Sequence, residues 1–168
     1  MIIIFIIVCL TTSIIVTIAV RQANSNFGDD NFIVETAIRK QGDKDWNDVI
    51  EAKVGDIIDY QIQYKNTSSK STKNVMVKFV LSKNVEYIYG STVLYNVSNP
   101  DGIKMSDAIA TTGVNIGGYT SNSNAYVRFS AIVRNVNLLD GENSLTAWGQ
   151  VGVGQETKQD SAALIVIL

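Results

Sequence analysis

Histidine is absent from the 168 residues, cysteine and proline occur once each, and charged side chains make up only 18% of the chain. Each scarcity excludes something. Without histidine there is no Ser-His-Asp or Cys-His arrangement, and nearly every zinc or copper site is ruled out. Cys9 is the sole thiol, so no intramolecular disulfide can form and a stable domain must rest on its apolar core. The formal net charge is −2, and no basic run exceeds Arg39-Lys40. That balance gives no footing to a nucleic-acid partner. No cofactor, metal or catalytic residue is expected, and the chain does not read as an enzyme.

What the chain does have is a leading apolar run. Met1 to Val20 holds eight Ile, three Val, Phe5 and Leu10, with no charged side chain and hydroxyls only at Thr11, Thr12, Ser13 and Thr17. As a helix rising about 1.5 Å per residue it would be roughly 30 Å long, the thickness of a bilayer's hydrocarbon core. Lipid offers the backbone no other way to satisfy its polar groups, so a helix is expected despite the β-branched side chains. Residues 1–21 therefore read as a transmembrane anchor or signal helix, with the lipid bilayer as partner of residues 1–20. A cleaved signal is the competing reading. It would want a basic start and small residues before the cut, and Thr17-Ile18-Ala19 offers only a weak one. Cys9 reads as an apolar filler within the segment.

Residues 22–30, rich in Asn, Ser, Gly and Asp, read as a linker, and 31–168 as one domain of ordinary size. Its pattern is β throughout. Ile58, Tyr60, Ile62 and Tyr64 alternate with Asp59, Gln61, Gln63 and Lys65, a strand with one buried and one wet face. Phe32 to Ile38, Val49 to Lys53, Val75 to Leu81, Val85 to Tyr89, Thr92 to Tyr95 and Ala125 to Val133 carry weaker versions of the same period. Leu145 to Val153 and Ala162 to Leu168 read as a closing hairpin. Asn99-Pro100-Asp101-Gly102 reads as a turn, with proline presetting φ and glycine accepting positive φ. Eight or nine short strands with regular turns predict an antiparallel, Ig-like β-sandwich, all-β apart from the leading helix.

The run Val54-Gly55-Asp56-Ile57-Ile58-Asp59-Tyr60, continuing to Asn66-Thr67-Ser68, resembles the opening motif of the conserved-repeat domain of bacterial and archaeal surface proteins. Asn74-Val75, Gly90-Ser91-Thr92 and Ile116-Gly117 follow in the family's order, so the resemblance spans roughly residues 31–168. It implies an Ig-like module of unassigned function on a cell surface, with a structural or adhesive role. Gly55, Asp56, Tyr60, Asn66, Thr67, Gly90, Ser91 and Thr92 would be its structural motif residues. Phe79 stands where the family carries Asp, Ser82 where it carries Pro, and Ala147 where it favours Asn. The last departure argues against a Lys–Asn isopeptide crosslink of the kind some surface sandwiches form.

Other groupings have plainer readings. Gly55-Asp56 reads as a tight loop whose carboxylate caps backbone amides. Asp29, Asp30, Asp43 and Asp45 lack the alternate-position spacing of a calcium loop and read as solvated. Tyr60, Tyr64, Tyr87 and Tyr89 read as core, leaving Tyr95, Tyr119 and Tyr126 as candidate exposed rings for a binding platform. The expectation is a membrane-tethered surface module with its β-domain outside the cell, secreted if the leader is cleaved. Other surface proteins or further copies of the chain are the remaining partner classes. The alternative is a pilin-like filament subunit whose leading helix packs in a fibre core.

Overall fold

The structure, a computed structural model, describes residues 31–136 and 138–168. The expected leading helix (1–21), the linker (22–30), Cys9, Asp29 and Asp30 lie outside the described residues. Eleven strands follow in order: β1 Phe32–Lys40, β2 Val49–Ala52, β3 Ile57–Asn66, β4 Met76–Val80, β5 Val85–Tyr87, β6 Val93–Asn96, β7 Asn99–Lys104, β8 Val114–Asn115, β9 Asn124–Val133, β10 Glu142–Val153 and β11 Glu156–Ile167. One 3-10 turn spans Asp107–Ala110. Among the described residues no helix is long and apolar enough to cross a membrane.

The strands make two sheets. The first runs β1-β3-β9-β6-β7, with β5 beside β9; the second runs β2-β11-β10-β4-β8. Strict alternation builds both. Along β9, Ala125, Val127, Phe129, Ala131 and Val133 are buried while Asn124, Tyr126, Arg128, Ser130 and Ile132 are only partly covered. The inward faces meet in an aromatic cluster. Tyr60 stacks on its cross-strand partner Phe129 with centroids 5.1 Å apart and planes 4° from parallel, and Phe79 of the second sheet meets both edge-on at 5.6 and 4.9 Å. Each such ring contributes roughly 1.5–3 kcal/mol by burial. Gly149 of β10 faces the same interior. A Cβ there would lie 2.5 Å from Thr36 Oγ1 and 2.6 Å from Ile62 Cδ1, so its missing side chain lets the sheets approach.

Several expectations need correction. The sandwich is not wholly antiparallel, because β2 pairs with β11 in parallel. After β1 the chain doubles back, and Asn47 exchanges both backbone hydrogen bonds with Ile38. β2 then sets off again in the direction of β1, and can meet β11 only in parallel. Residues 99–102 are not a turn. The turn lies at Val97-Ser98, and Asn99–Lys104 returns as strand β7 beside β6. Pro100 fits there because β7 lies at the sheet's edge, where a missing N–H leaves no gap in the ladder. Gly102, at φ +87, sits where the register shifts, and a side chain on it would collide with Val93 and Tyr95.

The long strands give the domain two poles. Asn31 and the loops at 67–75, 116–123 and 154–155 lie at the proximal pole, where Asn31 O accepts from the Thr67 and Ser68 amides. The segments 53–56, 81–84, 134–136 and 138–141 lie at the distal pole, where β11 ends with Ile167 opposite Glu142. β1 starts at the proximal pole and β11 finishes at the distal one.

Candidate functional site

The motif residues do not converge; they lock three separate turns. At the distal end of β3, Gly55 takes φ +93 and Asp56 Oδ2 accepts the Lys53 amide at 2.9 Å, with Lys40 Nζ at 3.3 Å. This is the backbone cap read from the sequence. The Lys53 amide, and Lys40 after it, hold the Asp56 carboxyl below its usual range.

At the proximal end of β3, Asn66 is wholly buried and works as a hub. Its Nδ2 donates to the carbonyls of Lys70 (2.8 Å), Tyr119 (3.0 Å) and Thr120 (3.1 Å). Its Oδ1 accepts from the Ser68 amide at 3.1 Å and the Ser68 hydroxyl at 2.8 Å. One side chain thereby ties the 67–73 loop to the 119–123 loop. Thr67 beside it bonds Asn31 through its amide.

The third lock is lateral. Gly90 takes φ +73, Ser91 Oγ accepts the Ser130 amide at 3.1 Å, and Thr92 is fully buried. Asp107 Oδ1 accepts from the Tyr87 hydroxyl and the Gly90 amide, both at 2.6 Å, and Thr92 Oγ1 lies 2.7 Å from the Tyr87 hydroxyl. Because that hydroxyl donates to Asp107, the threonine is the donor in the second bond. The Tyr87 hydroxyl bond, then the Gly90 amide, hold Asp107 below the usual carboxylate range; burial, and then Asp107 itself, raises Tyr87. Tyr60 differs from the other motif residues. Its hydroxyl is buried without a partner, and burial drives its ionisation well above the ordinary range.

The tyrosines divide differently from the sequence reading. Tyr89 is 82% exposed rather than core, because it lies past the end of β5 where the chain turns at Gly90. Tyr119 is buried rather than exposed. Its ring packs on Tyr64 at 5.2 Å and its hydroxyl donates to Ile116 O at 2.9 Å. Tyr95 and Tyr126 do lie on the outer face of the first sheet, half-buried around Arg128, whose guanidinium sits 4.8 and 5.8 Å from their centroids. Trp46, from the β1–β2 loop, closes the cluster at 5.2 Å from Arg128 and 4.4 Å from Arg39. Arg128 Nε also donates to Gln61, and Arg39 pairs with Asp59 at 3.2 Å. The rings thus already hold the domain's own guanidinium groups. Asp43 and Asp45 are exposed in the same loop.

Each pole carries one further feature that sequence reading did not pick out. The proximal pole has an open groove of about 670 Å³ between the 67–73 loop and the β10–β11 turn, lined by Asn31, Ser69, Lys70, Lys73, Val153 and Glu156 among others. The distal pole has a knob. Leu139 is 74% exposed and Val136 48%. Asn143 braces it, accepting the Leu139 amide at 2.9 Å and donating to Leu139 O at 2.8 Å and Gly141 O at 3.1 Å.

No protein-family model matches the chain, and no curated protein sequence matches it either. Solved structures do match. BcpA, the major pilin subunit of Bacillus cereus, superposes with a TM-score of 0.52 at 14% identity, over 80% of this chain and 40% of that one. The pilus backbone RrgB from Streptococcus pneumoniae gives 0.49 at 11% identity over 73% of this chain and 31% of that one. A family 123 glycoside hydrolase from Clostridium perfringens gives 0.40 at 16% identity over 81% and 27%. The chain thus spans well under half the length of these proteins. The likeness to BcpA establishes the fold: a β-rich, two-sheet domain of the kind found in a bacterial pilin subunit.

Proposed function

We propose that this chain is a non-enzymatic, Ig-like structural module of the cell surface, acting as spacer or adhesive unit and held to the membrane by its apolar leading segment. The observation that carries this reading is the use of the motif residues. Asp56, Asn66, Ser91 and Thr92 all satisfy their hydrogen-bonding groups within the domain, each fixing a turn. Residues arranged in that way keep a shape. The apolar run from Met1 to Val20 and the motif resemblance to surface modules support the location. Fractionation of cells should recover the chain in the envelope, with residues 31–168 open to protease added outside intact cells. Recovery in the cytosol, or full protection from protease, would overturn the reading. Mass spectrometry of the N-terminus would separate an anchored form from a cleaved, secreted one.

A second reading, the filament subunit, is favoured by the fold likeness to a major pilin subunit. Electron microscopy of sheared surface material decides between the two, since a filament subunit gives detached fibres free of membrane and a membrane-tethered module does not.

A further inference from the structure

We propose that copies of this chain associate head to tail, the distal knob of one seated in the proximal groove of the next. The proposal deepens the surface-module reading and takes its setting from it. The groove's 67–75 loop and the knob segment 135–144 are opposite in charge and complementary in shape. From Thr67 to Val75 the chain carries two cations, Lys70 and Lys73, and no acid. From Asn135 to Ser144 it carries two acids, Asp140 and Glu142, and no cation. Two cations flank that segment: Arg134, paired with Glu86 at 2.7 Å, and Lys83 of the neighbouring 81–84 loop; the acid that lines the groove, Glu156, is paired with Lys158 at 3.5 Å. The proximal pole is concave, with room of about 670 Å³; the distal pole projects Leu139, the most exposed leucine of the described residues.

Both surfaces are preorganised. Asn66 holds the groove's loop to the 119–123 loop, and Asn143 holds the knob to its own turn and, at 3.4 Å, to Val166 O. Docking therefore orders little new backbone, which limits the entropy lost on association. The two surfaces lie at opposite ends of the strand axis. The contact is thus heterologous and each addition translates along that axis, so it builds an open row. Confinement on one membrane raises the effective concentration, which favours a contact made by only one end of each domain.

The test uses the full chain with Cys9→Ser, reconstituted in phosphatidylcholine vesicles, with Ser69→Cys in the groove and Leu139→Cys in the knob. After oxidation with copper phenanthroline, non-reducing gels should show a ladder of dimers, trimers and longer products, while either cysteine alone stops at dimers. Lys70→Glu with Lys73→Glu should reduce the ladder at least about tenfold, and so should Asp140→Lys with Glu142→Lys. Combining the two reversals should restore it. No ladder, a ladder indifferent to either reversal, or failure of the combination to restore it would overturn the proposal. So would a ladder that forms only after residues 22–30 are replaced by a Gly-Ser linker, which would assign the groove to the chain's own linker. Flotation of the same samples reports the membrane reading separately. If the chain does not float, that reading fails and the ladder is scored in solution by the same criteria.

Discussion

Asn66→Ala is the sharpest perturbation of the fold. Four donor protons lose their bonds with the carboxamide: the two of Nδ2, shared among three carbonyls, and the two from Ser68 that Oδ1 accepts. Its partners are not left bare. The Ser68 hydroxyl, released by Asn66 Oδ1, can turn its one proton to Lys70 O at 2.8 Å; Tyr119 O keeps the Thr72 amide, Thr120 O the Ser123 amide, and the Ser68 amide still reaches Asn31 O. The loss is therefore the net worth of the bonds, each at the low end of about 0.5–1.5 kcal/mol, without the penalty for orphaned groups. That gives about 2 kcal/mol, a large part of the roughly 5–15 kcal/mol that holds a domain together. Urea unfolding of the full chain in mild detergent, followed by the fluorescence of Trp46 and Trp148, would measure it. Asn66→Asp adds a sign test. Its carboxylate would face three carbonyl oxygens in a buried site, so its folded-state pKa is raised above the unfolded value of about 4. The variant would come closest to wild-type stability below about pH 4 and lose ground as the pH rises toward neutrality. An Asn66→Ala variant within about 0.5 kcal/mol of wild type would refute the hub, a difference of the size that surface substitutions give.

Three further outcomes follow from the packing. Tyr60→Phe removes a buried hydroxyl with no partner, so it should leave stability unchanged or raise it by about 1 kcal/mol; a loss above about 1 kcal/mol in urea unfolding would mean that the hydroxyl is bonded. Gly149→Ala should cost about 1–3 kcal/mol through overpacking between the sheets, while Gly152→Ala, whose new Cβ meets nothing nearer than 3.7 Å, should be close to neutral; equal effects would dismiss the close approach at Gly149. Asp56 and Asp107 are depressed in the folded state, so their contribution is complete above the unfolded pKa of about 4 and is lost as the pH falls through the folded values. The melting temperature should drop below about pH 4, and the double variant Asp56→Asn, Asp107→Asn should flatten that drop; an unchanged slope would rule the two carboxylates out.

The strands with one wet and one buried face were legible residue by residue. Ile58, Tyr60, Ile62 and Tyr64 are all buried, as their alternation demands. The Asp56 cap was legible because its partner lies three residues away. What escaped depends on distance along the chain. The Asn66 hub was visible as a motif, but its carbonyl partners at Tyr119 and Thr120 lie 53 and 54 residues downstream. Tyr119 was misread because residues around it are Gly, Ser, Thr and Asn, without a period to mark an inward face. The segment Asn99-Pro100-Asp101-Gly102 was misread for a different reason. Proline and glycine report backbone angles, and an irregular edge strand uses the same angles as a turn. The groove and the knob were illegible, since each is made by loops that only the fold brings together.

The placement of β1 and β11 has a mechanical consequence. Tension applied at Asn31 and at Ile167 runs along the strands, not across them. β1 is hydrogen-bonded to β3 over Phe32 to Lys40, and β11 to β10 over its full length from Glu156 to Ile167, with β2 clasping its distal part from Ala163 to Val166. Pulling in that direction loads each ladder in shear, so its bonds must yield together instead of opening one after another from an end. A domain pulled this way resists extension without any covalent staple.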